Sequence, residues 1–219
     1  MTREFETLPD EDTRYLCVIA GIATLARVGV GLEIASAVYA TRGKRSFKSA
    51  LDALAGIVEI NADNRLVARH ELYVRHLLEN VIPLSEFLDV VSEILSQFAK
   101  FEIPVIRRIN RTDGYLFKYI LNNEFIFRLC KMRGNVDAGR SVYEQFELDF
   151  QLDGHFWLQY GLYLVKMHNY EEALKMLSRS IEAYPQNPYA RHALAHLQLR
   201  IASHRRAFDS ATENLISRP

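Results

Sequence analysis

The sequence predicts a mainly helical protein with one small β-hairpin, in which a helical linker joins two larger parts. Three observations support this prediction. Apolar residues recur at helical spacing along most of the 219 residues. One stretch, residues 57–69, changes to short strand-like runs around a turn. Residues 120–219 repeat every 34 residues, a period typical of about three stacked helical hairpins.

The composition is that of an ordinary globular protein. Hydrophobic residues make up 49% of the chain and charged residues 25%, which is enough apolar material for a sizeable core and excludes a disordered chain. The formal net charge is zero, so no overall field attracts nucleic acid or a membrane surface. The two cysteines, Cys17 and Cys130, lie within apolar helical patterns and are predicted to be reduced core thiols.

The sequence predicts a cytoplasmic location. The acidic, polar N-terminus lacks the features of a signal peptide. The apolar stretch Tyr15–Ala40 is interrupted by Arg27, Glu33 and a glycine-containing turn, so two short buried helices fit it better than a membrane span.

Residues 1–80 form the first predicted domain. Apolar spacing indicates helices over residues 15–26 and 32–40, and Ser46 is a suitable N-cap for a third. Two β-type runs follow, residues 57–60 and 65–69, on either side of the turn Asn61–Asn64. Three helices and a two-stranded hairpin are therefore expected in this order.

This order resembles a winged helix. The run Ala50–Asn80, in which Arg69-His70-Glu71 opens the next helix, is similar to the winged-helix domain that follows the ATPase core of STAND-type NTPases. The resemblance implies a domain that packs on an ATPase in signalling or phage defence and transmits its state. The NTPase core is absent, because Gly43-Lys44-Arg45-Ser46 has an intervening arginine and no upstream glycine of a P-loop.

Residues 81–119 are predicted to be the helical linker. Residues 84–101 are apolar at helical spacing, and Pro104 and the polar segment Asn110–Gly114 interrupt the pattern. A single long helix is expected over Tyr115–Met132.

Residues 154–187 carry the pattern of a tetratricopeptide repeat, W-x2-L-G-x2-Y, then A-x3-F, then P. The matching residues are Trp157, Tyr160, Gly161, Leu164, Ala173, Leu177 and Pro185. The segment resembles the tetratricopeptide-repeat family, which implies a binding module made of stacked helical hairpins.

The 34-residue register extends the repeat in both directions. Forward, Gly161 maps to Ala195, Ala173 to Ala207 and Pro185 to Pro219; backward, Gly161 maps to the large Phe127, which departs from the pattern. The predicted units are a degenerate repeat over residues 120–153, a clear one over 154–187 and a moderate one over 188–219.

In such arrays the first helix of each hairpin lines a concave groove. The register places eight residues there, without an acid among them: Arg128, Lys131, His155, Leu158, Lys166, His192, His196 and Arg200. We expect a protein or peptide partner, acidic or carrying a carboxylate, unless these charges only keep the surface soluble.

A second candidate surface is the cluster of Arg42, Lys44, Arg45 and Lys48 at the start of the third helix. In DNA-binding winged helices this helix enters the major groove, and phosphate contacts need such cations. The neutral charge of the domain favours instead a contact with an ATPase domain or subunit. The alternative, a DNA-binding regulator with a helical sensing arm, remains open.

No catalytic, metal or cofactor site is predicted. His192 and His196 share a helix face, but the glutamate of H-E-x-x-H and a third ligand are missing. Signatures of a serine or cysteine nucleophile are absent. The sequence thus predicts a non-catalytic interaction and regulatory protein, the sensor and C-terminal portion of a STAND-type system, and an enzyme is the weakest of the hypotheses.

Overall fold

A computed structural model describes the backbone of Leu8 and residues 10–216, and side chains as far as residue 203. The chain divides into two compact units, residues 1–150 and 151–219. This boundary lies about 30 residues beyond the predicted end of the linker at residue 119. Ala207 and Pro219, on which part of the predicted third repeat depends, lie outside the described side chains.

The first unit begins with three helices and a three-stranded sheet. The elements in chain order are α1 (Glu11–Leu25), β1 (Val30–Gly31), α2 (Leu32–Tyr39), α3 (Phe47–Ala53), β2 (Val58–Ile60) and β3 (Arg65–Ala68). Asp10 caps α1 by accepting a hydrogen bond from the backbone N–H of Thr13, and Ser46 caps α3 as the sequence predicts. Strand β3 lies between β1 and β2 and is antiparallel to both.

The predicted β-hairpin is confirmed. Val58 pairs with Ala68 and Ile60 with Leu66, and the side-chain oxygen of Asn61 accepts the backbone N–H groups of Asp63 and Arg65, each at 3.0 Å. The strand β1 was not predicted. Its sequence contains two glycines and was assigned to the turn that ends α1, because a two-residue strand has no periodicity of its own.

The segment predicted to be a linker is instead part of the core of the first unit. Helix α4 (Glu71–His76) continues into one π-helical turn (Leu77–Val81), and α5 (Leu84–Phe98) follows. Phe87, Val91, Ile94 and Phe98 of α5 are fully buried. The helix packs against α1, α2 and two later helices, because apolar residues cover more than one of its faces.

The last part of the first unit consists of α6 (Arg111–Ile120), α7 (Asn123–Met132) and α8 (Val136–Gln145). The single helix predicted over residues 115–132 is therefore wrong. Asn122 interrupts it, because its side-chain oxygen accepts the N–H of Phe125 at 3.0 Å and starts a new helix. Helices α7 and α8 form the helical hairpin expected of the degenerate repeat.

The second unit contains α9 (Gly154–Lys166), α10 (Tyr170–Ala183) and α11 (Pro188–Ile216). Helices α9 and α10 form the clear helical hairpin that the sequence predicts. Gly161 lies at their crossing, where a Cβ would come within 2.8 Å of Leu177 Cγ. Gly154 lies at a second close approach, and the Ser180 hydroxyl donates a 2.6 Å hydrogen bond to its carbonyl oxygen.

The turns of these two hairpins share one local geometry, 34 residues apart. Gly134 and His168 both adopt positive φ, +69° and +61°, and the next residue is the N-cap of the second helix. The caps are Asn135, which accepts from Ala138 N at 3.1 Å, and Asn169, which accepts from Glu172 N at 3.4 Å. The repeat thus extends to backbone hydrogen bonding, beyond the spacing of apolar residues.

A third helical hairpin is absent from the described backbone, because α11 is one continuous helix of 29 residues. The register places the expected turn at Ala202-Ser203. These residues offer neither the glycine nor the asparagine that a left-handed turn and its cap require, and alanine favours the helix.

Candidate functional site

The predicted groove residues are distributed over both units. Arg128 and Lys131 belong to α7 of the first unit, where Arg128 forms an ion pair with Glu79 at 3.1 Å. The other six belong to the second unit. Leu158 is only 6% exposed, so its prediction as an exposed groove residue is wrong: it is an apolar residue of the tightly packed helix α9.

Helix α11 presents its predicted residues to solvent. His192 and His196 are exposed one turn apart, with their rings stacked at a centroid distance of 6.3 Å. Arg200 follows one turn later, and its guanidinium lies 5.3 Å from the centre of the Tyr170 ring. On α9, His155 and Lys166 are half-buried. Five of the six predicted residues in this unit therefore remain accessible.

Two exposed apolar side chains on α11 were not predicted. Tyr189 is 76% exposed and Leu199 is 71% exposed. Together with His192 and His196 they are spaced by three, four and three residues, which places all four on one face of the helix. We call these four residues the α11 stripe. The repeat register could have found Tyr189, since it lies 34 residues after His155.

The helix caps keep this unit in register. The buried side chain of Asp153 accepts the N–H groups of His155 and Phe156 at 2.9 and 3.1 Å. Asn187, 34 residues later, accepts the equivalent groups of Tyr189 and Ala190 at 3.1 and 3.4 Å. These caps satisfy backbone donors at the first turns of α9 and α11, so both helices start in defined positions.

The cation cluster near α3 is largely engaged within its own unit. Arg42 forms an ion pair with Asp89 at 2.8 Å, and Arg45 forms one with Asp10. The backbone N–H groups of Lys44 and Arg45 both donate to the buried carboxylate of Asp12, at 2.8 and 2.7 Å. Lys44 and Lys48 are exposed. The segment is thus held onto the start of α1.

Catalytic chemistry has little to build on in the described residues. Both cysteines are buried, and burial raises the pKa of the Cys17 thiol to about 12, so it carries no thiolate at neutral pH. Nowhere in the described part of the chain do three or more His, Cys, Asp or Glu side chains form a group that could hold a metal ion. None of the described helices combines the length and apolar character that a membrane crossing requires.

Residues 154–197 match the tetratricopeptide-repeat family model. The chain is similar to this family there. The match covers α9, α10 and the first ten residues of α11, the part of the chain with the repeat motif. No curated protein and no solved structure matches the chain significantly. A tetratricopeptide repeat generally serves protein–protein interaction and is non-catalytic, which suggests the same role for this segment.

Proposed function

We propose that the second unit binds a protein or peptide through the α11 stripe and the neighbouring cations of α9 and α11. The observation that carries this proposal is the exposure of Tyr189 and Leu199 on one helix face with two histidines between them. Exposed aromatic and aliphatic side chains in a line are typical of interaction surfaces, since water gains when they are covered.

The charge of this surface favours an acidic partner. Lys166 and Arg200 are its permanent cations, and it contains no acidic residue among the predicted set. Arg200 stays charged while it rests on the Tyr170 ring, and it retains donors for a carboxylate. We therefore propose an acidic segment or a free C-terminal carboxylate as the feature recognised.

Calorimetric titration with an Asp/Glu-rich peptide that carries one Leu and a free C-terminus tests this proposal. The double variant Lys166→Glu/Arg200→Glu should weaken binding at least tenfold, because two attractive charges become repulsive. A matched control, Lys48→Glu/Lys175→Glu, changes the net charge equally at exposed sites away from the α11 stripe and should bind as the wild type does. Equal affinity of both double variants would contradict the proposal.

We also propose that residues 1–80 form a winged-helix-like regulatory domain. Two features support this proposal: the order α1–β1–α2–α3–β2–β3 and the antiparallel sheet with β3 in the centre. In this interpretation the β2–β3 hairpin is the wing. By its resemblance to STAND-type proteins, we propose that the chain acts as the sensor portion of an ATPase system, in which this domain contacts an ATPase domain or subunit.

The cation cluster favours this regulatory role over DNA binding. Two of its four side chains, Arg42 and Arg45, are already neutralised by acids of the same unit. Helix α3 is only seven residues long and offers a short surface for a major groove. Lys44 and Lys48 remain exposed and are the observation that keeps the DNA-binding alternative in view.

A gel-shift titration with non-specific duplex DNA at two salt concentrations distinguishes these roles. We expect no salt-dependent complex at physiological salt, because two unpaired lysines release few counterions. A complex that forms at low salt and is lost in Lys44→Glu/Lys48→Glu would instead favour the DNA-binding regulator.

A further inference from the structure

A surface pocket of about 450 Å³ lies in the first unit, away from both surfaces discussed above. Its lining residues come from the end of α1, from one face of α6 and from the cap of α7, and they are Ala26, Val28, Tyr115, Lys118, Tyr119 and Asn122. The volume falls in the range of small-molecule sites, which are mostly apolar with a few polar groups that orient the ligand.

Two tyrosines one turn apart supply the aromatic part of the pocket. Tyr115 is 47% exposed, and Arg111 donates to its phenol oxygen at 3.1 Å. Tyr119 is half-buried and its ring lies 4.6 Å from the Phe125 ring, which holds it in place. Flat ring faces of this kind accept a planar aromatic group by stacking.

The Tyr119 phenol stays protonated at neutral pH. Burial raises its pKa to about 12, although the nearby cations Arg75, Arg128 and Arg27 act in the opposite direction. A neutral phenol donates a hydrogen bond and adds no negative charge to the pocket. An anionic ligand therefore meets no repulsion from this side chain.

Cations without an acidic partner surround the pocket. Arg75 and Arg128 form ion pairs with Glu71 and Glu79. Within the described part of the chain, by contrast, Arg27, Lys118 and Arg111 take part in no ion pair, and all three are exposed. Lys118 lines the pocket itself, and Arg27 lies between two lining residues. These charges are available to an anionic group of a ligand.

A buried arginine braces the two walls. The Arg65 guanidinium donates to the carbonyl oxygens of Val28 at 2.7 Å and Gly29 at 3.0 Å, next to the α1 wall. It also forms a 2.6 Å ion pair with Asp113 at the start of α6, the other wall. Walls held in this way need little rearrangement on binding, which lowers the entropic cost of association.

From these features we infer that the pocket binds a small planar aromatic compound carrying one anionic group. The aromatic ring lies against Tyr115 and Tyr119, with Ala26 and Val28 as the apolar floor. The anionic group is bound by Lys118 and by the Arg27 guanidinium. This site is independent of the peptide-binding surface proposed for the second unit.

The test is a ¹H–¹⁵N NMR titration of the full chain with three probes: 2-naphthoate, its neutral amide 2-naphthamide, and cyclohexanecarboxylate. We expect saturable shifts from 2-naphthoate, concentrated at residues 26–28 and 115–122. The amide, which lacks the charge, and the cyclohexane acid, which lacks the flat ring, should each bind roughly tenfold more weakly. Equal affinity for all three probes, or shifts scattered over the chain, would overturn the inference.

Two variants locate the site. Lys118→Glu should weaken 2-naphthoate binding roughly tenfold and leave 2-naphthamide binding nearly unchanged, because only the charged probe meets the reversed charge. Ala26→Trp fills the pocket and should abolish binding of both. The control Lys48→Glu, at an exposed site on α3, should behave as the wild type does. Unchanged 2-naphthoate affinity in Lys118→Glu rejects the site even if Ala26→Trp fails to fold.

Discussion

At the scale of single residues, the glycines show how the same amino acid serves different physical needs. Gly161 lies in a helix where another helix approaches within van der Waals distance. Gly134 has space around it but adopts φ +69°, a conformation that side chains disfavour. Gly114 lies in α6 with neither constraint, since nothing is within 4 Å of a Cβ placed there. Only the first two therefore need glycine.

Alanine substitutions at these three sites should differ in sign. Gly161→Ala should destabilise the protein by about 1–3 kcal/mol through overpacking against Leu177. Gly134→Ala should cost about 1 kcal/mol through backbone strain alone. Gly114→Ala should stabilise by about 0.5–1 kcal/mol, because alanine is the better helix former. Urea denaturation of the three variants measures these changes; a stabilising Gly161→Ala would contradict the close crossing of α9 and α10.

At the scale of secondary-structure elements, Arg65 connects parts of the first unit that lie far apart in sequence. It is on strand β3, it accepts no side-chain partner near it in sequence, and its guanidinium contacts the α1–β1 turn and the start of α6. The side chains of Arg65 and Asp113 are 9% and 14% exposed. A mostly buried ion pair of this kind specifies which elements meet, because either charge alone would be left unpaired.

Removal of one partner should therefore cost more than removal of both. Arg65→Met should destabilise the protein by about 3 kcal/mol, since it leaves a mostly buried carboxylate and two carbonyl oxygens without this donor. The double variant Arg65→Met/Asp113→Leu should recover part of this loss. Thermal denaturation of both variants and of Asp113→Leu gives the coupling energy. Additive effects of the two single changes would show that the pair does not hold these elements together.

At the scale of the whole molecule, the position of the unit boundary decides which helices belong together. Phe117 of α6 contacts Phe98 of α5 at a ring distance of 5.3 Å and Phe150 at 5.4 Å, and all three rings are fully buried. Helix α8 also packs on α5. The first unit thus uses residues as late as Phe150 to complete its core, although the 34-residue register assigns residues 120–150 to the repeat array.

Truncated chains test this boundary. A fragment of residues 1–150 should fold cooperatively, whereas residues 1–119 should lack a cooperative thermal transition. The shorter fragment loses α7, α8 and Phe150, and one buried aromatic side chain alone contributes about 1.5–3 kcal/mol. Circular dichroism and thermal melting of both fragments provide the measurement. A cooperative transition of residues 1–119 would favour the earlier boundary that the sequence pattern predicts.

Local patterns were sufficient wherever the cause of the structure is itself local. The hairpin follows from Asn61–Asn64 between two β-type runs, and the α9–α10 pair follows from the motif of Trp157 to Pro185. The caps Ser46, Asn61 and Asn169 act within a few residues of themselves. In the same way, the cations of the candidate binding surface, Lys166 and Arg200, could be placed by the repeat register.

Other features depend on residues distant in sequence, and only the tertiary structure decided them. Helix α5 has the same apolar spacing whether it links two domains or lies inside one, and its burial depends on neighbours from both ends of the first unit. Leu158 is buried and Tyr189 exposed at related repeat positions because the packing around α9 and α11 differs. The sequence by itself determined the helices, the hairpin and the repeat, whose interactions span a few residues; packing determined which faces remain open to a partner.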